Sequence, residues 1–122
     1  MEMLIVVAII AVLVAIAIPV FTNQLEKARE ATDEANIRSA YAEVMACALT
    51  DTVSNNVKKD DANGETIWSK EVSICQATKG WLTTDINIAG VTGADLPSVN
   101  KDNTVIVKFN ETQNKVTIEI NN

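Results

Sequence analysis

The sequence predicts an α+β fold in which one long N-terminal helix lies across a small antiparallel sheet. Three observations predict it. Nineteen residues, Met3 to Phe21, carry neither charge nor a hydrogen-bonding side chain. No glycine or proline falls between Val20 and Asp51, so a helix begun in the apolar run meets nothing that stops it. Near the C-terminus, two segments of alternating apolar residues flank a polar loop, the period-2 signature of a hairpin.

The apolar run comes first. As a helix it is about 28 Å long, enough to cross the hydrocarbon core of a bilayer. It lacks the marks of a secretory signal. No basic residue precedes Lys27, and Ile-Pro-Val-Phe follows the core where a small-residue cleavage site belongs. It is also too uniformly apolar for an amphipathic core helix. A membrane or assembly helix remains, dividing the chain into an apolar element, 1–22, and a head, 23–122. Two residues interrupt the pattern. Glu2 sets a carboxylate at the start. Pro19, near the end, removes a ladder bond and crowds the preceding turn, which predicts a kink or local unwinding between Ala15 and Pro19.

From Asn23 the texture becomes amphipathic. Leu25, Ala28, Ala31, Ala35, Tyr41, Val44, Ala48 and Leu49 recur at helical spacing and predict the face that packs on the sheet. Glu26, Lys27, Arg29, Glu30, Asp33, Glu34, Arg38 and Glu43 predict a solvated face, with Arg29–Asp33 and Glu34–Arg38 as opposite-charge pairs four apart. The helix is expected to reach about residue 50.

Residues 51–65 read as a polar loop. Aligned as a calcium loop on Gly64, this stretch places Lys59 and Lys70 where carboxylates are required, which excludes an EF-hand. Thr66 to Ala77 fits a short helix or a strand, and a strand is preferred because a lone hairpin makes too small a sheet. Asp85-Ile-Asn-Ile88 alternates and predicts a short strand between Gly80 and Gly90. The clearest strands come last. Val105, Val107 and Phe109, then Val116, Ile118 and Ile120, form a hairpin closed by Asn110 to Asn114. Its apolar face needs the amphipathic half of the helix as a cover.

Composition narrows function. With 122 residues there is room for one domain, leaving about a hundred residues for the head once the apolar helix is set apart. A net charge of −6 argues against nucleic acid, whose phosphates need clustered Lys and Arg. The chain has no histidine, so the usual general base and the commonest zinc ligand are missing, and catalysis is not expected. No cofactor or metal is expected. Asp95 and Asp102 flank a loop that reads more simply as solvated carboxylates than as a calcium site. Trp68 and Trp81 read as packing residues. Cys47 and Cys75 are the only two cysteines. In an oxidising compartment they are expected to pair, worth about 3–4 kcal/mol in the chain-entropy model, and in a reducing one to remain small buried thiols.

The run Glu2 to Phe21, Glu-Met-Leu-Ile-Val-Val-Ala-Ile-Ile-Ala-Val-Leu-Val-Ala-Ile-Ala-Ile-Pro-Val-Phe, resembles the N-terminal signature of type IV pilins and the related pseudopilins. In that family a glutamate follows Phe-Thr-Leu-X at the mature terminus and matches Glu2, and a proline falls where Pro19 stands. On that register Met1 matches the variable residue before the glutamate, so the three residues that open the mature family members are absent, as are the basic leader and glycine read by the prepilin peptidase. Many members carry a glycine several residues before the proline, where this chain has Ala11, which favours helix.

The resemblance implies a subunit held in the bacterial cytoplasmic membrane by its helix and then extracted into an extracellular filament of its own copies. Membrane lipid, the prepilin peptidase and the pilus assembly machinery are its implied partners. It also implies that Glu2 pairs with the terminal amine of a neighbouring subunit and sets axial register, while Pro19 supplies a bend. Two alternatives stay open at this stage. One is a pseudopilin of a type II secretion or DNA-uptake system, and the other a single-pass anchored binding module.

Overall fold

A computed structural model describes residues 1–121. Its first element, α1, is a helix of 49 residues, Glu2–Thr50, about 73 Å long. The helical assignment is unbroken through Pro19, so the local unwinding expected between Ala15 and Pro19 is absent. Residue 22 marks a change of surface rather than a break in the helix. The helix stops at Asp51, which adopts a left-handed φ of 47°. There the Thr52 N–H donates to the Cys47 carbonyl at 3.1 Å, satisfying an acceptor the helix leaves free.

The sheet has four antiparallel strands: β1 (Lys58–Ala62), β2 (Glu65–Ser73), β5 (Thr104–Asn110) and β6 (Lys115–Asn121), in the spatial order β1-β2-β5-β6. Between β2 and β5 the chain makes a long excursion that carries a two-residue ribbon, β3 (Asn87–Ile88) with β4 (Val91–Thr92). The β5–β6 hairpin lies where the alternation placed it, with Val105, Val107 and Phe109 buried on one face of β5. The strand preferred for the stretch after Thr66 is β2. The short strand expected at Asp85 to Ile88 is half of the β3–β4 ribbon.

The polar loop expected over 51–65 needs correction, because its second half is β1. Asn63 and Gly64 both have positive φ, 55° and 80°, and Ala62 pairs with Glu65. This is a two-residue hairpin turn of the Asn-Gly kind, whose backbone twist matches the flanking strands.

The core has two parts. The larger gathers Ile37 and Ala40 of α1 with strand residues such as Val72, Val105, Val107 and Ile118 and with Ile86, Ile88, Leu96 and Val99 of the excursion. The smaller sets Val44 against Val57, Trp68 and Phe109 near the end of the helix. Both tryptophans pack as expected. Trp68 is fully buried and its indole N–H donates to Glu111 at 3.1 Å. Trp81 is half-buried against the larger cluster and donates to the Pro97 carbonyl at 2.9 Å.

The face of α1 that meets the head is not the one its apolar residues indicate. Glu26, Glu30, Asp33, Ile37, Ala40 and Val44 are buried, spaced four and three apart. Leu25, Ala28, Ala31, Ala35 and Leu49 are exposed. Of the expected apolar stripe only Val44 is fully covered, with Tyr41 and Ala48 partly so. The reason lies in what each level of the helix touches. Its upper part, from Ile37 to Val44, meets apolar strand residues. Its lower part meets the irregular 75–83 segment, whose backbone donors need acceptors.

Candidate functional site

The surface that distinguishes this protein is α1 itself. Residues 1–25 are exposed without exception, and the apolar segment that is long enough to cross a membrane has none of its residues buried. Ile5, Ile9, Val12 and Leu13 line an apolar hollow along it, and Ile16, Val20 and Phe21 line a second one nearer the head. Among the described residues nothing covers either.

Beyond residue 22 the helix has two opposed faces. At about 100° per residue, Phe21, Ala28, Ala31, Ala35, Ala42 and Ala46 point away from the buried row of Glu26 to Val44. All six are exposed and none is charged. Thr32 and Ser39 complete the row, and the Thr32 hydroxyl turns back to the Ala28 carbonyl at 2.9 Å, so it presents little polarity outward. An uncharged strip thus runs from the apolar N-terminal half along the back of the head to Leu49.

Three carboxylates secure the other face. Asp33 accepts the backbone N–H groups of Cys75 and Gln76, both at 2.8 Å. Glu30 accepts those of Leu82 and Thr83, at 2.9 and 2.7 Å. Glu26 accepts that of Thr78 at 2.7 Å. Charge-assisted bonds of this kind contribute about 1.5–3 kcal/mol each, and they settle where the loop sits on the helix. Gln76 continues the network inside the loop, its side-chain amide donating to the Gly80 carbonyl at 2.6 Å and the Val99 carbonyl at 2.9 Å. The expected solvated face is therefore partly a clamp. With Asp33 committed to the loop, the expected Arg29–Asp33 pair does not form and Arg29 meets Glu26 instead, at 3.5 Å. The expected Glu34–Arg38 pair is present.

Glu2 lies in the first turn of α1, exposed at the far end from the head, and Pro19 lies within the exposed apolar half. The structure thus brings neither to the head, and both sit on surface that the monomer leaves uncovered. Asp95 accepts the Thr92 hydroxyl at 2.9 Å. Among the described residues no three His, Cys, Asp or Glu side chains gather into a group able to hold a metal.

The cysteine pairing is corrected by position. Cys47 and Cys75 are both free. Cys75 is tied through its backbone to Asp33, and Asp33 lies fourteen residues before Cys47 on α1, roughly 21 Å along the axis. A disulfide needs Cα atoms within about 7 Å. The Cys75 thiol is exposed, and the neighbouring Asp33 carboxylate raises its pKa above the ordinary thiol value, with a smaller contribution from burial.

Comparison with protein-family models, with curated proteins and with solved structures finds no match to this chain.

Proposed function

We propose that this chain is the structural subunit of a type IV pilus filament, held in a membrane by α1 before assembly. The observation that carries the reading is the extent of the uncovered face of α1. A single-pass anchor needs an apolar surface only over the thickness of the bilayer, about 30 Å. Here the uncharged strip continues past the apolar segment, behind the head, to Leu49. Such a strip is of use to a helix that packs against other helices along its whole length. Small residues on it let backbones approach closely.

Within this reading Glu2 has a chemical task. An unpaired carboxylate in an apolar bundle is costly, so it seeks a cation, and the resemblance to pilins supplies one in the terminal amine of a neighbour. That contact is heterologous and does not close, so it propagates into a fibre. Pro19, inside the exposed apolar half, supplies the bend in this reading, because its ring removes a ladder bond there.

The test is assembly of the membrane-inserted chain with an intact N-terminus, followed by electron microscopy. Fibres are expected. Glu2→Ala is expected to abolish them while leaving monomer in the membrane, and unaltered assembly of that variant would refute the register role. A chain that stays monomeric under every assembly condition would favour the anchored binding module.

A further inference from the structure

We propose that the head sheet continues from one subunit to the next through its two open edges, β6 of one copy pairing with β1 of another. The inference rests on the filament reading for its partner, a second copy held in the same orientation.

Both edges are available. β1 and β6 end the sheet, and among the described residues neither is hydrogen-bonded to a further strand, although β4 lies near β6. An edge strand leaves a row of backbone N–H and C=O groups unpaired. Beside β6 lies an open groove of about 660 Å³, lined by Lys115 to Glu119 on one side and by the β3–β4 turn at Ala89 and Gly90 on the other, with Asp95 on its wall. An extended strand has room there.

The direction of pairing follows from the strand count. In four antiparallel strands the two edge strands run opposite ways. Two copies in the same orientation therefore meet β6 to β1 as an antiparallel pair, with equivalent sheet faces on the same side. Subunits extracted from one membrane share that orientation.

Charge selects the same arrangement. β1 reads Lys58-Lys-Asp-Asp-Ala62, a composition that repels general edge pairing and demands a matched partner. Set antiparallel, Lys58 falls opposite Glu119, Asp60 opposite Thr117 and Ala62 opposite Lys115. Set parallel with Lys58 opposite Lys115, two cations would meet and Glu119 would fall opposite Ala62, without a charged partner. The faces agree as well. Lys59 lies over the Trp68 ring on the helix side, so Lys58 points to the outer face; Ile118 is buried on the helix side, so Glu119 points outward too. Lys58 already meets Glu71 at 3.3 Å and Glu119 meets Lys108 at 2.6 Å. Joining the edges extends these exposed pairs into an alternating row, Glu71, Lys58, Glu119, Lys108, across the subunit boundary.

Cysteine cross-linking tests this, in the full chain with Cys47→Ala and Cys75→Ser, on membranes and on fibres. Lys58→Cys with Glu119→Cys, and separately Asp60→Cys with Thr117→Cys, are expected to give a ladder of covalent dimers, trimers and higher species under mild oxidation. Each single substitution, and Lys58→Cys with Lys115→Cys, is expected to give less than a tenth of that product. Fibres that form normally while both antiparallel pairs stay monomeric would overturn the edge pairing and leave the filament reading intact. A ladder on membranes without fibres would uphold the pairing and count against the filament. A ladder from Lys58→Cys with Lys115→Cys alone would overturn the antiparallel register.

Discussion

The Asp33 carboxylate accepts the backbone N–H of Gln76 at 2.8 Å, joining the middle of the helix to a loop 43 residues further along the chain. Its other oxygen takes the Cys75 N–H at the same distance, and no part of the side chain reaches solvent. Asp33→Ala strands both donors under the loop, and a stranded donor costs about 1–3 kcal/mol. The variant is expected to lose roughly 2–4 kcal/mol of stability, a large share of what a small domain has. Asp33→Asn, which keeps one acceptor but turns an NH₂ group toward a donor, is expected to fall in between. Urea unfolding in detergent, followed by tryptophan fluorescence, measures both. Since Trp81 packs beside the loop held by Glu30, its emission reports the clamp directly.

How far this clamp was legible in the sequence depends on the residue. The helix end, the β5–β6 hairpin and the α+β class were all legible, because each rests on local chemistry: a break at Asp51, alternation at Val105 to Phe109. The covered face of α1 was not. Counting apolar positions selects Leu25, Ala28, Ala31 and Ala35, since burial usually follows hydrophobicity. Here the lower half of the helix covers backbone donors, which call for Glu26, Glu30 and Asp33, and the apolar row is left outside. The four-three spacing from Glu26 through Ile37 to Val44 was present all the same, disguised by its acids. Strand β1 was hidden in the same way by Lys58 to Asp61, although Asn63-Gly64 is the strongest short hairpin signal the chain contains.

A second turn is built less well, and that makes it improvable. Ala89 holds a φ of 54° in the β3–β4 turn, next to Gly90 at 87°. The left-handed region costs a residue with a Cβ about 1 kcal/mol, which glycine escapes. Ala89 is exposed, so its methyl contributes little packing. Ala89→Gly or Ala89→Asn is expected to stabilise the head by about 0.5–1 kcal/mol, raising the urea midpoint without changing the slope.

The free cysteines predict a labelling pattern. Both thiols of the native, unreduced protein are expected to react with an alkylating reagent, Cys75 completely and the half-buried Cys47 more slowly. Thiolate is the reactive form, and the Asp33 charge beside Cys75 disfavours it. The rate at Cys75 is therefore expected to climb through a midpoint above the ordinary value of 9.0. The sign for stability follows. A Cys75 pKa raised in the fold above its unfolded value favours the fold while that thiol is protonated, and this advantage is lost as pH rises through the folded value. Mass spectrometry of the labelled peptides across pH 7–11 gives the profile (a range of about four units around the usual thiol value).

Pro19 is the costliest residue in α1 by helix propensity, about 3 kcal/mol worse than alanine in a helix interior. Its nitrogen carries no hydrogen, so the Ala15 carbonyl lacks the partner that an ordinary residue at position 19 would provide. The Thr22 hydroxyl donates to the Ile18 carbonyl at 3.0 Å and reinforces the turn just beyond, but it does not reach Ala15. The ladder is thus weakest one turn before the proline, on a stretch where the folded head lends no support. Pro19→Ala restores the missing bond. Amide exchange from Ala15 to Val20 in detergent is expected to slow by tenfold or more, with the head's exchange unchanged. In fibres the same substitution is expected to lengthen the bending persistence measured from micrographs, because the subunits would lose the one point in the bundled helix where the backbone yields first. An exchange profile that is flat across Pro19 in the unsubstituted chain would show that the helix does not yield there.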